Sequence, residues 1–211
     1  MRTGRAVVAV VVVKLVVVGA YAAFLREKQL RWGALPEEVN APLPGDDVIP
    51  VANHMATRAI RIDVAREAVW PWLAQLGQGR GGFYSYDGLE NIAGCQVHSA
   101  ERIEPQWQDV AVGDDFRLHP EITLQVIRAD PPHSLVVAGV ASDDAGAEAP
   151  YDFSWAFVLV PTRGGATRLV VRERYGYRAG WAPLMVEPLS VVSFVMTQRM
   201  LRGIRERAER G

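Results

Sequence analysis

From Ala6 to Leu25 the chain is apolar except for Lys14, and a run of that length commits its part of the sequence to a membrane helix or a cleaved leader. About 20 helical residues rising ~1.5 Å each match a hydrocarbon layer of roughly 30 Å. Lys14 near the centre costs on the order of 3 kcal/mol, and the nine valines with Leu15, Phe24 and Leu25 return roughly 5, so insertion wins. A secretory signal is the competing reading, since Arg2 and Arg5 make a basic start and Ala20-Tyr21-Ala22 resembles a small-x-small cleavage site. Lys14 splits that apolar region, and an uncleaved single-pass anchor over residues 1–30 is the favoured expectation. The side of the membrane stays open, because Arg2 and Arg5 on one flank are matched by Arg26, Lys28 and Arg31 on the other.

Residues 31–56 read as a proline-rich linker. Pro36, Pro42, Pro44 and Pro50 alternate with Glu37, Glu38, Asp46 and Asp47, a composition that forbids a long helix and suits either a plain tether or a strap on the domain surface. Residues 57–211 then suffice for one domain with its own core. The net charge of -1, from 23 basic and 24 acidic side chains, provides no overall field for nucleic acid, and none is expected as a partner. The single cysteine, Cys95, excludes an internal disulfide.

Within the domain, Ile60, Ile62 and Val64 alternate with Arg61 and Asp63 as in a half-buried strand. Val69, Trp72, Leu73 and Leu76 fall at helical spacing, and Asp87 three residues before Glu90 gives a capping-box start to a second short helix. Strands are expected around Ile103, at Phe116 and Leu118, and over Ile122–Arg128, Ser134–Val140, Tyr151–Val160 and Thr167–Tyr177. Short connections make the sheet antiparallel, and the acidic run Ser142–Pro150 suits an exposed hairpin loop. Pro188 in a first turn, followed by Val191, Phe194, Leu201, Ile204 and Ala208, predicts a long C-terminal helix.

Gly77, Gly79 and Gly82 satisfy G-x-G-x-x-G, but a helix precedes them and Phe83-Tyr84-Ser85-Tyr86 follows, so they read as a bend and not as a dinucleotide site. Arg80 in that bend is a candidate clamp for a ligand anion, with pairing to Glu90 the favoured alternative. Tyr84 and Tyr86 suit either a pocket mouth or ordinary packing. Phe153, Trp155, Phe157 and Leu159 share one strand face, as do Leu169, Val171, Glu173 and Tyr175, which turns Glu173 toward apolar neighbours and Arg168, Arg172 and Arg174 the other way. A carboxylate so placed must be paired, hydrogen-bonded or protonated, and a position at the rim beside an arginine is the blander alternative to a ligand role. His98, three residues after Cys95, lacks the further ligands of a metal site and the orienting group of a nucleophile pair. No cofactor or metal is expected, and neither G-x-S-x-G nor H-E-x-x-H occurs.

This order of elements, with Trp70-Pro71-Trp72-Leu73, the run Gly79 to Asp87 and His98-Ser99-Ala100, resembles a bacterial branch of the START-like SRPBCC superfamily. The resemblance implies an α+β helix-grip fold, a curved antiparallel sheet of about seven strands around a long C-terminal helix, with an apolar cavity between them. It also implies binding of lipids, polyketides or other hydrophobic small molecules, or a cyclase-type reaction on them. The leading expectation is a membrane-tethered carrier. Trp72, Tyr84, Trp155, Phe157 and Tyr175 are its candidate lining residues, with Tyr86 at the mouth, Glu173 or Arg80 would orient a polar end, and His98 is a further ligand-binding candidate. A cyclase or dehydratase using buried Glu173 with Tyr84 or His98, and an interaction module without a cavity, are the alternatives. A pocket free of polar groups would favour the carrier, and one with two convergent titratable groups the enzyme.

Overall fold

The computed structural model describes residues 25–139 and 149–211. The apolar run of the expected anchor, Ala6–Leu25, lies outside them save for Leu25, while residues 26–30 of that expected segment are described; the acidic hairpin loop lies outside save for Ala149 and Pro150. Among the described residues no helix is long and apolar enough to cross a membrane.

Six antiparallel strands form one curved sheet. They are β1 (His54–Ile62), β2 (Asp115–His119), β3 (Ile122–Asp130), β4 (Ser134–Gly139), β5 (Tyr151–Pro161) and β6 (Thr167–Tyr177), in the order β1-β6-β5-β4-β3-β2. Short helices α1 (Arg26–Leu30) and α2 (Pro36–Asn40) precede β1, α3 (Arg66–Ala74) and α4 (Asp87–Ile92) follow it, and α5 (Ala182–Ala208) closes the chain. Register shifts at Arg117/His119 and Val126/Arg128 bend the β2–β4 half of the sheet.

The alternation read in the sequence sets the register. Trp155 stands opposite Glu173, Phe153 opposite Tyr175 and Phe157 opposite Val171 across β5 and β6, while Ala56 of β1 flanks Glu173 on its other side. Ile60, Ile62, Phe157, Leu159, Leu169 and Val171 join Val69, Trp72 and Leu73 of α3 and Met200, Leu201, Ile204 and Ala208 of α5 in a single core. The C-terminal half of α5 is therefore a core helix, and its N-terminal half leaves Leu184 and Val192 exposed.

Several expectations are corrected. Among the described residues the sheet has six strands where about seven were expected, because Ile103 is exposed, Arg102 and Glu104 on either side bond to each other at 2.6 Å, and Pro105 opens a 3₁₀ turn. A lone apolar residue between paired charges has no face to bury. Helix α5 begins at Ala182 with Pro183 in its first turn, so Pro188 is interior and supplies no N–H to the helical ladder. Asp87 does not cap α4. It is the first helical residue, and its carboxylate accepts from the Ser99 N–H at 2.7 Å and the Ser99 hydroxyl at 2.6 Å.

The proline-rich segment lies on the outer face of the sheet. Arg172 reaches from that face into it, donating to the carbonyls of Glu38, Val39 and Ala41 and to Asp46, and Arg168 bonds Glu38. Arg174 bonds the carbonyls of Ile49 and Pro50. The arginines that alternation turned away from the core are thus fastened to a strap and not to water.

Candidate functional site

Between β5, β6 and the N-terminal half of α5 lies a cavity of about 660 Å³, within the roughly 300–1,000 Å³ typical of small-molecule sites. Phe153, Trp155, Glu173 and Tyr175 make its floor, Leu118 and Phe83 one end, and Leu189, Val192, Ser193, Met196 and Met200 of α5 its roof. Ser85, Leu89, Glu90 and Cys95, from the glycine bend and α4, close the side. Gly77 and Gly82 take φ of +125° and +70° and exchange backbone hydrogen bonds at 3.1 Å, so the glycines form the bend that the sequence suggested. That bend delivers Phe83 and Ser85 to the cavity, where the Ser85 hydroxyl donates to the Met196 carbonyl at 3.0 Å.

Glu173 sits at the floor in an ion pair with Arg58 of β1. Arg58 Nη1 donates to Glu173 Oε1 at 2.7 Å, and the Ser193 and Thr197 hydroxyls of α5 donate to the same oxygen at 2.6 and 3.2 Å. Both partners are almost wholly buried, with side-chain exposures of 1% and 2%. The rim position considered for Glu173 does not occur; the residue is interior and its arginine comes from the neighbouring strand.

Three residues lining the cavity keep a buried polar atom without a partner among the described residues: Glu173 Oε2, Trp155 Nε1 and Glu90 Oε2. Glu90 is held in an apolar setting beside Asp87, and burial first, then that neighbouring charge, pushes its carboxyl up to about 7. The consequence for stability has a definite sign. Between the ordinary value of 4.5 and about 7 the folded protein binds more protons than the unfolded chain, so stability falls as pH rises through that window. Glu90→Gln removes the effect. Urea unfolding should show the variant roughly 2–3 kcal/mol more stable than the parent at about pH 8, and no more stable at about pH 4.

The other candidate residues divide sharply. Trp155, Glu173 and Tyr175 line the cavity, and Phe157 lies behind Trp155 with ring centroids 4.7 Å apart. Burial and the Glu173 charge push the Tyr175 phenol well up. Trp72 and Tyr84 are core residues in edge contact at 5.7 Å; the Tyr84 hydroxyl donates to the Trp72 carbonyl and accepts from Gln75, and the Arg207 guanidinium covers its ring. Arg80 does not meet Glu90. It donates to the carbonyls of Ala74 and Trp107, which fixes the bend onto the chain before β2. Tyr86 and His98 are exposed and line nothing in the cavity. Cys95 does line it, with a thiol pushed up by burial and by Glu90, which works against a thiolate nucleophile. Among the described residues no three His, Cys, Asp or Glu side chains gather as metal ligands.

Sequence reasoning missed Glu90, Tyr151, Ser193, Met196 and Thr197 as lining residues. The one available signal was Ser193 and Thr197 at helical i, i+4 spacing on an otherwise apolar stretch of α5, opposite a buried carboxylate.

No family model matches the chain, and no curated protein matches it. Among solved structures, truncated norcoclaurine synthase from Thalictrum flavum is 15% identical over 72% of this chain and 91% of its own, with a TM-score of 0.45. A protein from Nitrosomonas europaea is 13% identical over 74% of this chain and 94% of its own, at 0.46. One from Mesorhizobium loti is 16% identical over 74% and 98%, at 0.43. At these values the similarity decides nothing about chemistry, and the functional reading rests on the cavity itself.

Proposed function

We propose that the protein is a membrane-tethered binding or carrier domain for an apolar small molecule held between the sheet and α5. The cavity is the observation that carries this reading: it is large and lined mainly by Phe, Trp, Leu, Val and Met side chains, although Glu173 at its floor and Glu90 at its side mean that it is not the pocket free of polar groups that would favour a carrier alone. A second observation supports the tether. Helix α1, which directly follows the apolar run, is fastened to α5 where Arg26 pairs with Glu187 at 2.7 Å and Gln29 Nε2 donates to the Ser190 carbonyl at 2.7 Å. The chain thus enters the domain beside Leu184, Leu189 and Val192, exposed apolar residues of the same helix, of which Leu189 and Val192 also line the cavity. An anchor ending at Leu25 holds that face close to the bilayer.

Glu90 favours a second reading, a cyclase- or dehydratase-type enzyme. Two titratable carboxyl groups line the cavity, but Glu173 is committed to Arg58, Ser193 and Thr197, which leaves Glu90 as the group poised to move a proton near neutral pH. The two readings separate when full-length protein and its Glu90→Gln variant are incubated with a lipid and polyketide extract. A carrier returns the bound molecule unchanged from both proteins. Conversion by the parent alone would establish the enzyme and displace the carrier.

A further inference from the structure

Resting on the cavity reading, we infer that the ligand is a neutral amphiphile whose buried end is a hydroxyl group, received jointly by Trp155 and Glu173. Trp155 and Glu173 are directly opposed in the β5–β6 register and share the inner face, so their side chains are nearest cross-strand neighbours on the cavity floor. Each is at least nine-tenths buried, and each retains one unpartnered polar atom among the described residues, a donor at Trp155 Nε1 and an acceptor at Glu173 Oε2. A buried polar atom left unpaired is costly, so the site gains most from a ligand that satisfies both. A hydroxyl does this with one oxygen, accepting from the indole N–H and donating to the carboxylate. An alkane satisfies neither atom, and a carboxylate ligand accepts from the indole but repels Glu173.

Charge balance selects neutrality. Arg58 already neutralises Glu173 at 2.7 Å, in a pair whose members are 1% and 2% exposed, so a second cation brought to this oxygen would add an uncompensated buried charge. An ammonium ligand would have to recruit Glu90 from the side wall, against the burial and the Asp87 charge that favour its neutral form. The remainder of the lining, from Phe153 and Leu118 to Met196 and Val192, offers the ligand body apolar surface and contains no further cation.

The test uses four probes with the same chain, decanol, decane, decanoate and decylamine, added to full-length protein in non-ionic detergent micelles. Affinity is measured for each, and the Trp155 indole N–H signal, assigned with Trp155→Phe, is followed by NMR. Decanol is expected to bind roughly tenfold more tightly than decane, as one net hydrogen bond at a charged acceptor implies, and to move the Trp155 signal downfield. Trp155→Phe leaves the Arg58–Glu173 pair in place and should reduce decanol affinity several-fold more than it changes that of decane, so that most of the preference for decanol over decane is lost. Equal binding of decanol and decane with an unmoved signal would refute the hydroxyl assignment and leave the cavity reading standing. Preference for decylamine or decanoate would refute its neutrality. Failure of all four to bind would remove the cavity reading as well.

Discussion

Arg58→Met is expected to destabilise the protein by roughly 3–5 kcal/mol, since it strips a buried carboxylate of its counter-ion. Glu173 would keep only the Ser193 and Thr197 hydroxyls, and the Gln29 carbonyl would lose the bond it accepts from Arg58 Nε at 3.1 Å. The double variant Arg58→Met/Glu173→Leu should recover most of that loss, because replacing both members of a buried pair with apolar groups is frequently neutral or stabilising. Urea unfolding of the two single variants and the double completes the cycle. If Arg58→Met costs less than about 1 kcal/mol, Glu173 is not the buried, paired carboxylate described here.

Arg172→Ala has a comparable expected effect on the opposite face. Its guanidinium donates at 3.0 Å to the Thr57 hydroxyl, at 3.0 and 2.6 Å to the Ala41 carbonyl and Asp46, and at 2.8 and 2.9 Å to the carbonyls of Glu38 and Val39. Charge-assisted bonds of this kind are individually stronger than neutral ones, and their removal together should cost about 3 kcal/mol. Amide hydrogen exchange in the strap, Pro36 to Pro50, should rise well before exchange in β5. Arg172→Lys should not restore protection, since a single ammonium does not reproduce a five-donor planar fork.

How far these features were legible in the sequence follows from which physical rule controlled each. The period-two alternation of Phe153–Leu159 and Leu169–Tyr175 identified the floor of the cavity and the inward direction of Glu173, because register fixes side-chain direction once one face is apolar. The same alternation extended backward from Ile62 and Ile60 places Arg58 inside, yet a charged residue on the strand carries no sign of its partner, which is 115 positions away. Tyr84 and Trp72 were legible as aromatic and apolar, but not as core residues rather than lining, because that depends on how α3 seats against α5. Glu90 was read through its spacing from Asp87 as part of a helix start. Its role in the cavity wall emerges only when the fold sets α4 at the side of the cavity that β5 and α5 also line, a tertiary choice that local periodicity does not encode. Ile103 failed as a strand for the converse reason: one apolar residue was weighed, and the charges on either side satisfied each other locally.

The central claim, an apolar ligand site between the sheet and α5, is tested most directly by native mass spectrometry of the full-length protein, alongside Leu118→Trp, in which the larger ring occupies cavity space. A one-to-one adduct with an apolar molecule in the parent, lost in a Leu118→Trp variant that unfolds at the same urea concentration, is the predicted result. An adduct equally retained by that variant, or none in the parent after exposure to a lipid extract, would contradict the claim.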